Sequence, residues 1–307
     1  MVTAFMFPGA GSYFSAPFAH YSPGRRIATE VAERIDPVSA AYGWSSVLSE
    51  SDLDSWDPLS ELRTYHLQLC CWRILEEELG LGADIVFGHS LGEITSLVAA
   101  GGLTVEDGAR LLCERARSLE SYAQPTGATA AFMVSPAEAE EFARQGEDVV
   151  VAATNSPTQV ILSGPAEQVR RLLRIADSRG ILATRLRTGP YPQHHPCLDS
   201  ALQHYLESVR GIQPGVLRTA VYSTILGRRL APDDDLLAMI GAQLVRPLNF
   251  PNAVTELREA GVDRFVECGL RDSLSRFVVE ITGGDTCVLT PFRTRPTDAN
   301  IQQYRKE

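Results

Sequence analysis

Positive charge is scarce in this sequence, and lysine is almost absent from it. Lys306 is the only lysine among 28 basic residues, and 38 acidic residues bring the formal net charge at pH 7 to −10. A nucleic-acid partner needs a basic surface, so we expect none. Apolar runs are also short, since none approaches the roughly 18 residues that a membrane-spanning helix requires. We therefore expect no membrane partner either.

The cysteines show neither a redox motif nor a metal site. No C-x-x-C spacing occurs, and no group of histidine, cysteine and acidic residues has the spacing of metal ligands. We expect free thiols, mainly buried, in a reducing cytoplasm, and neither a metal nor a cofactor. The six cysteines are Cys70, Cys71, Cys113, Cys197, Cys268 and Cys287.

A candidate nucleophile lies where a buried strand meets a helix. The apolar run from Ile85 to Phe87 predicts a strand, and a helical pattern begins after Ser90. Gly88, Ser90 and Gly92 form the pattern G-x-S-x-G, which requires this strand-to-helix context. Glycine on each side allows a sharp turn that exposes the serine hydroxyl, and the free N–H groups of the following helix face the same space.

The order of predicted elements indicates an α/β protein with a small inserted unit. Met1 to Phe7 lacks a basic segment and leads directly into Pro8-Gly9, so it is typical of a first strand and not of a signal peptide. The glycine-punctuated loop that follows can expose backbone N–H groups to an anion. Between about residues 128 and 186 the order β-α-β-β-α-β predicts a ferredoxin-like unit. We therefore expect a large domain over 1–125 and 189–307 and a small subdomain over 126–188.

A serine nucleophile needs a base, and the sequence offers six histidines. His89 adjoins the serine and is expected to be structural, whereas His194 and His195 lie on a proline-stiffened loop after the small unit. Residue chemistry alone does not choose between those two. It also supplies no obvious acid to orient the base, so a Ser-His-acid triad is not established.

Several motifs together resemble those of malonyl-CoA:acyl carrier protein transacylases and the acyltransferase domains of polyketide synthases. The likeness spans essentially the whole chain. It implies an α/β-hydrolase-like large domain with a parallel sheet, and the ferredoxin-like subdomain as its insertion. The matching motifs are F-P-G-A-G-S near the start, G-H-S-L-G-E followed by A-A-G-G-L-T, N-S-P-T-Q-V-I-L-S-G, P-Q-H-H-P-C-L and Q-L-V-R-P-L.

The resemblance implies the catalytic roles. Ser90 would be the nucleophile that becomes acylated, and His194, rather than its neighbour, would be the base. The backbone carbonyl of Gln243 would orient that histidine, which would explain the missing acid. The oxyanion hole would come from the backbone N–H groups of Ala10 and Leu91.

The resemblance also implies residues that bind the acyl group. Arg115 would pair with the free carboxylate of malonyl, a task that suits a planar and permanently charged guanidinium. Asn155, Tyr191 and Gln193 match positions around the substrate. Alanine at positions 10 and 153, and glutamine at position 193, depart from the usual family residues.

These roles predict a ping-pong acyltransferase that moves a malonyl-type group from CoA to an acyl carrier protein, in polyketide or fatty acid biosynthesis. Malonyl is the expected group because Arg115 is present, and the departures motivate an alternative, a discrete polyketide-pathway transferase for an unusual acyl or aminoacyl group, which could pass between two carrier proteins. A thioesterase and a non-catalytic carrier-protein scaffold are further alternatives.

Candidate arginines for docking the acidic carrier protein are Arg170, Arg171, Arg174, Arg185 and Arg187.

Overall fold

The computed structural model describes residues 1–10, 16–49 and 57–305. Gly11 and Ser12 of the predicted anion-binding loop lie outside the described residues. The strands are β1 (Val2–Phe7), β2 (Ile85–Gly88), β3 (Gly127–Phe132), β4 (Val150–Ser156), β5 (Gln159–Pro165), β6 (Ala183–Arg185), β7 (Ala220–Ser223), β8 (Arg228–Arg229), β9 (Leu248–Asn249), β10 (Val262–Glu267) and β11 (Cys287–Leu289).

The helices alternate with these strands over most of the chain. They are α1 (Ser22–Ala41), α2 (Leu59–Arg73), α3 (Gly92–Ala99), α4 (Val105–Tyr122), α5 (Pro136–Gln145), α6 (Ala166–Ser178), α7 (Asp199–Val209), α8 (Leu236–Ala242), α9 (Phe250–Glu259), α10 (Ser273–Thr282) and α11 (Asp298–Ile301). A π-helical turn, Ile74–Glu78, extends α2.

Six of the described strands form the central sheet, in the order β11-β10-β1-β2-β7-β8. Every pair in it is parallel except β7 with β8. Alternate side chains of β1 enter two different cores, since Phe5 and Phe7 face the layer of α1 to α4 while Ala4 and Met6 face α9 and α10. Burial on both faces is what a parallel sheet requires.

The second sheet has the strand order of a ferredoxin-like unit. Its strands run β6-β3-β5-β4, all neighbours antiparallel, and α5 and α6 cover one face with a core of their own. The predicted fold class is therefore confirmed. A fifth strand, β9, comes from outside residues 126–188 and pairs in parallel with β4. Ala131 and Ile161 of the other face share a core with the central sheet, so the small sheet is fixed against the large one.

Some predicted boundaries were wrong for identifiable reasons. The apolar residues from Val216 to Ser223 predict a strand, but β7 begins only at Ala220, because the residues before it hydrogen-bond to the loop after α3, as Arg218 N–H does to the carbonyl of Ala100 at 2.7 Å. The polar residues from Arg295 predict a loose tail, but this segment contains α11, which is capped by Thr297 and buries Ile301 completely. Ile301 and the partly buried Tyr304 pack against the large core.

No helix in the described ranges has both the length and the apolar character needed to cross a bilayer.

The junction between β2 and α3 leaves no space for side chains at its two glycines. A Cβ on Gly88 would lie 2.1 Å from the carbonyl carbon of Gly92, and a Cβ on Gly92 would lie 2.0 Å from the carbonyl oxygen of Phe7. The N-terminus of α3 therefore rests directly on the end of β1. This contact needs glycine for close approach and not for an unusual backbone angle.

We expect Gly92→Ala to destabilise the protein by about 3 kcal/mol or more, since the methyl group must displace backbone at the end of β1. The melting temperature should fall by roughly 5 °C or more. Gly82→Ala is the matched control, because a Cβ there meets nothing within 4 Å. Equal melting temperatures of the two variants in calorimetry would contradict this account of the junction.

Candidate active site

Ser90 lies in a strained turn between β2 and α3. Its φ is +54°, a left-handed value that non-glycine residues rarely adopt. The turn is held by hydrogen bonds from His89 N–H to the carbonyl of Phe7, at 2.9 Å, and from Gly92 N–H to the carbonyl of His89, at 3.0 Å. Backbone strain that the surrounding structure maintains is concentrated at functional sites in proteins. The geometry agrees with the exposed serine that the motif predicts.

His194 supplies the partner of the serine hydroxyl. The distance from Ser90 Oγ to His194 Nε2 is 2.9 Å. His195 points elsewhere, since its Nε2 lies 3.0 Å from the carbonyl of Asp148 and its Nδ1 accepts from Cys197 N–H. The structure thus distinguishes the two histidines that residue chemistry left open. The loop places His194 at a left-handed φ of +54° as well.

The hydrogen bond on the far side of His194 fixes its tautomer. Nδ1 lies 3.1 Å from the carbonyl oxygen of Arg246, and a carbonyl only accepts, so the proton is on Nδ1. Nε2 is then free to accept from Ser90. Burial lowers the pKa of His194 to about 4, helped by the nearby His89, while the Arg246 carbonyl acts in the opposite direction. The imidazole of His194 is therefore neutral at physiological pH.

Gln243 contacts His194 through its backbone and Ser90 through its side chain. A hydrogen bond that its backbone carbonyl accepts raises the pKa of His194, and its predicted role in orienting that histidine stays a prediction. The carbonyl of Arg246, in the turn after α8, lies 3.1 Å from Nδ1 and raises the pKa more strongly. The Gln243 side chain donates from Nε2 to the backbone carbonyl of Ser90, at 2.5 Å.

Arg115 is connected to the nucleophile through that same amide. Its Nη1 donates to Oε1 of Gln243 at 2.7 Å, and its Nη2 donates to Oε2 of Glu61 at 2.5 Å. Both charged side chains are almost completely buried. The sequence analysis did not identify Glu61 as a site residue. Its spacing from Tyr65 and Leu69 places all three on one buried face of α2, and a buried acidic residue needs a partner.

The predicted oxyanion donors belong to segments that meet at Ser90. Leu91 is buried at the N-cap of α3, where helix N–H groups lack partners. Ala10 follows Gly9 in the loop after β1, and a Cβ on Gly9 would lie 3.8 Å from the Ser90 Cβ. The loop is also held from behind, since Gln68 Nε2 donates to the carbonyl of Pro8 at 2.6 Å. Their role as oxyanion donors stays a prediction.

The other predicted substrate residues are anchored within the protein. The Asn155 amide contacts His89 Nε2 and the Gln159 side chain, each at 2.8 Å. Gln193 Nε2 donates to the carbonyl of Thr188 at 3.1 Å. Tyr191 is buried and contributes to the large core. These contacts position the walls around Ser90 and His194, and direct contact with substrate stays a prediction.

Glu93 of the G-H-S-L-G-E motif connects the first turn of α3 to the end of β7. It is completely buried, and its carboxylate accepts from Thr224 N–H at 2.5 Å and from Ile225 N–H at 3.1 Å, at the end of β7. Burial raises its pKa to about 7, although the hydrogen bonds from Thr224 and its neighbours lower it. Glu93 therefore connects α3 to the next strand and does not face the reacting serine.

Comparison with known proteins gives a consistent result over almost the whole chain. The family model described as "Acyl transferase domain" matches residues 5–302. The spectinabilin polyketide synthase system protein NorA' of Streptomyces orinoci is 30% identical over 299 residues, which are 92% of this chain and 8% of that protein. The 6-methylsalicylic acid synthase of Aspergillus terreus is 31% identical over 290 residues, 89% of this chain and 15% of that protein. The chain thus spans a small part of these relatives.

Solved structures resemble the fold along its full length. The malonyl-CoA:acyl carrier protein transacylase of Xanthomonas oryzae pv. oryzae is 26% identical with a TM-score of 0.84, covering 98% of this chain and 97% of that one. A loading acyltransferase from the avermectin modular polyketide synthase has a TM-score of 0.87 at 21% identity, with 98% of each chain covered. At 21% identity, the similarity to the loading acyltransferase concerns the fold alone.

The low pKa of His194 sets the expected pH dependence of the serine's reactivity. If His194 is the base, as we predict, only its neutral form accepts the Ser90 proton, and reactivity is lost as the pH falls through the folded-state pKa of about 4 and not near the ordinary histidine value. The measurement is kcat/KM for acylation of Ser90 across pH, with calorimetry at each pH to show that the protein is folded. Half-loss of activity near pH 6.5 would contradict the assignment.

Proposed function

Because this chain belongs to the acyl transferase domain family, we propose that it moves an acyl group from a thioester to the phosphopantetheine thiol of an acyl carrier protein, through an ester on Ser90. The observation that carries the proposal is the 2.9 Å contact between Ser90 Oγ and His194 Nε2 within a strained strand-to-helix turn. The named relatives support polyketide or fatty acid biosynthesis as the context.

The first half of the reaction forms the acyl-enzyme. His194 Nε2 takes the hydroxyl proton of Ser90 while Oγ attacks the thioester carbonyl. The carbonyl electron pair moves to oxygen, where the backbone N–H groups of Leu91 and Ala10 stabilise the negative charge, a contribution typically of about 2.7–4 kcal/mol for each donor. The intermediate collapses, the carbon–sulfur bond breaks, and the leaving thiolate receives the proton from His194.

The second half reverses these steps with a new thiol. The phosphopantetheine thiol of the carrier protein gives its proton to His194 and attacks the Ser90 ester. The carbon–oxygen bond breaks, and Ser90 Oγ regains the proton from His194. Water could follow the same route, which would make the protein a thioesterase. The two acceptors are distinguished by which product accumulates.

These reaction steps do not specify which acyl group is carried. A malonyl group was expected because Arg115 could bind its free carboxylate. That role requires a guanidinium whose charge is not already balanced, whereas Arg115 lies against Glu61 in a buried ion pair. The geometry therefore supports acyl transfer more strongly than it supports malonyl as the acyl group.

For the carrier protein we propose a docking site on the small sheet and its helix α6. Arg170 and Arg174 are more than half exposed on α6, where both pair with Glu167, and Arg185 is exposed on β6. A carboxylate of the carrier protein can replace Glu167 beside these arginines at little cost in free energy, because exposed ion pairs contribute little to stability. The unpaired cysteines support a reducing, cytoplasmic location for this exchange.

We expect an acyl adduct on Ser90 after brief incubation with acyl thioesters, detected by intact-protein mass spectrometry. Ser90→Ala should show no adduct, and His194→Ala should acylate roughly 10²–10⁴ times more slowly because general base catalysis is lost. His195→Ala is the matched control, since His195 does not reach the serine.

Adding holo carrier protein should transfer the acyl group from Ser90 to the carrier. Discharge to free acid at the same rate with or without the carrier would instead indicate a thioesterase.

Reversing the charges of Arg170 and Arg174 to glutamate should raise the KM for carrier protein by roughly tenfold, because an electrostatic docking surface mainly affects encounter. Acylation of Ser90 by a small thioester should be unchanged. Reversal of Arg26 and Arg34, which lie on α1 of the large layer, is the control. If both double variants transfer to the carrier protein as well as the wild type does, α6 is not the docking surface.

A further inference from the structure

The charge of Arg115 is balanced inside the protein before any substrate arrives. Its Nη2 donates to Glu61 and its Nη1 to Gln243, and the two charged residues are only 5% and 7% exposed. An arginine already paired with a buried carboxylate binds a second carboxylate less well, because the two negative charges repel each other. Here Arg115 is already paired with Glu61.

Among the residues that the structure describes, the other buried charged side chains near Arg115 have partners as well. Arg63 lies 3.4 Å from Asp57 and also donates to Ser49 Oγ at 3.1 Å. Glu114, next to Arg115 on α4, accepts from the Tyr42 hydroxyl at 2.5 Å. An entering carboxylate would have to share the Arg115 guanidinium with Glu61 as a second negative charge, and like charges in one buried site are strongly disfavoured.

Arg115 has a structural task that explains its presence without a carboxylate ligand. It holds Oε1 of Gln243, and the same amide donates from Nε2 to the backbone carbonyl of Ser90. The chain Glu61–Arg115–Gln243–Ser90 therefore fixes the nucleophile turn from the side of α2 and α4. In this arrangement Arg115 is a positioning residue.

We infer that the acyl group carried by this protein has no free carboxylate, and that Glu61 excludes carboxylated groups such as malonyl by neutralising Arg115. The inference rests on the proposed acyl transfer and specifies its substrate class as acyl thioesters without a carboxylate. Replacing Glu61 by glutamine keeps the shape and a hydrogen-bond acceptor for Arg115 but removes the competing charge. Arg115 would then be able to receive a carboxylate.

The test compares propionyl-CoA with malonyl-CoA, measured as kcat/KM for adduct formation on Ser90 by intact-protein mass spectrometry. The wild type should prefer propionyl-CoA at least about tenfold, and Glu61→Gln should shift the malonyl-to-propionyl ratio toward malonyl by about tenfold or more, one decade per 1.4 kcal/mol. Glu114→Gln, which removes a neighbouring buried carboxylate that does not contact Arg115, should leave the ratio unchanged.

The outcomes separate this inference from the proposed function. A wild type that loads malonyl-CoA as well as or faster than propionyl-CoA overturns the inference and leaves acyl transfer standing, and this comparison does not depend on the variant folding. An unchanged ratio in a folded Glu61→Gln protein overturns the role of Glu61. Absence of any Ser90 adduct from either acyl group, on CoA or on a loaded carrier protein, overturns the proposed function and the inference with it.

Discussion

The contact of the Gly92 backbone with the end of β1 is the constraint on which the site depends. Because α3 begins directly on the Phe7 carbonyl, the chain between β2 and α3 must turn within a few residues, and Ser90 takes a left-handed conformation. Its hydroxyl is then presented to His194, while its carbonyl is held by Gln243. Strain at one residue is maintained by packing and hydrogen bonds from separate parts of the chain.

A backbone carbonyl holds the tautomer of His194 that an acidic residue holds in a triad. Nδ1 of His194 donates to the carbonyl of Arg246, which adds no full negative charge, and burial keeps the imidazole neutral. An imidazole with this lowered pKa is unprotonated at neutral pH. In the proposed reaction it would take a proton from Ser90, give it to the leaving thiolate and take another from the incoming thiol.

The sequence allowed the fold class, the strand-to-helix turn at Ser90 and the small inserted sheet to be predicted, because glycine placement and the order of apolar segments are local signals. The choice of His194 came only from the resemblance, since it depends on where a loop lies in space. The partners of Gln243 and Arg115 could not be predicted, because Glu61 lies far from both along the chain and joins them only once α2, α4 and α8 are packed. Strand β9 and the buried Ile301 were missed for the same reason.

The central claim is that the acyl group rests covalently on Ser90 between donor and acceptor. The most direct test is isotope exchange, in which the protein is incubated with propionyl-pantetheine and deuterium-labelled pantetheine in the absence of any other acceptor. A covalent intermediate predicts that label enters the thioester with the wild type and not with Ser90→Ala. Transfer to a carrier protein without such exchange would mean direct transfer in a ternary complex, and would contradict the account.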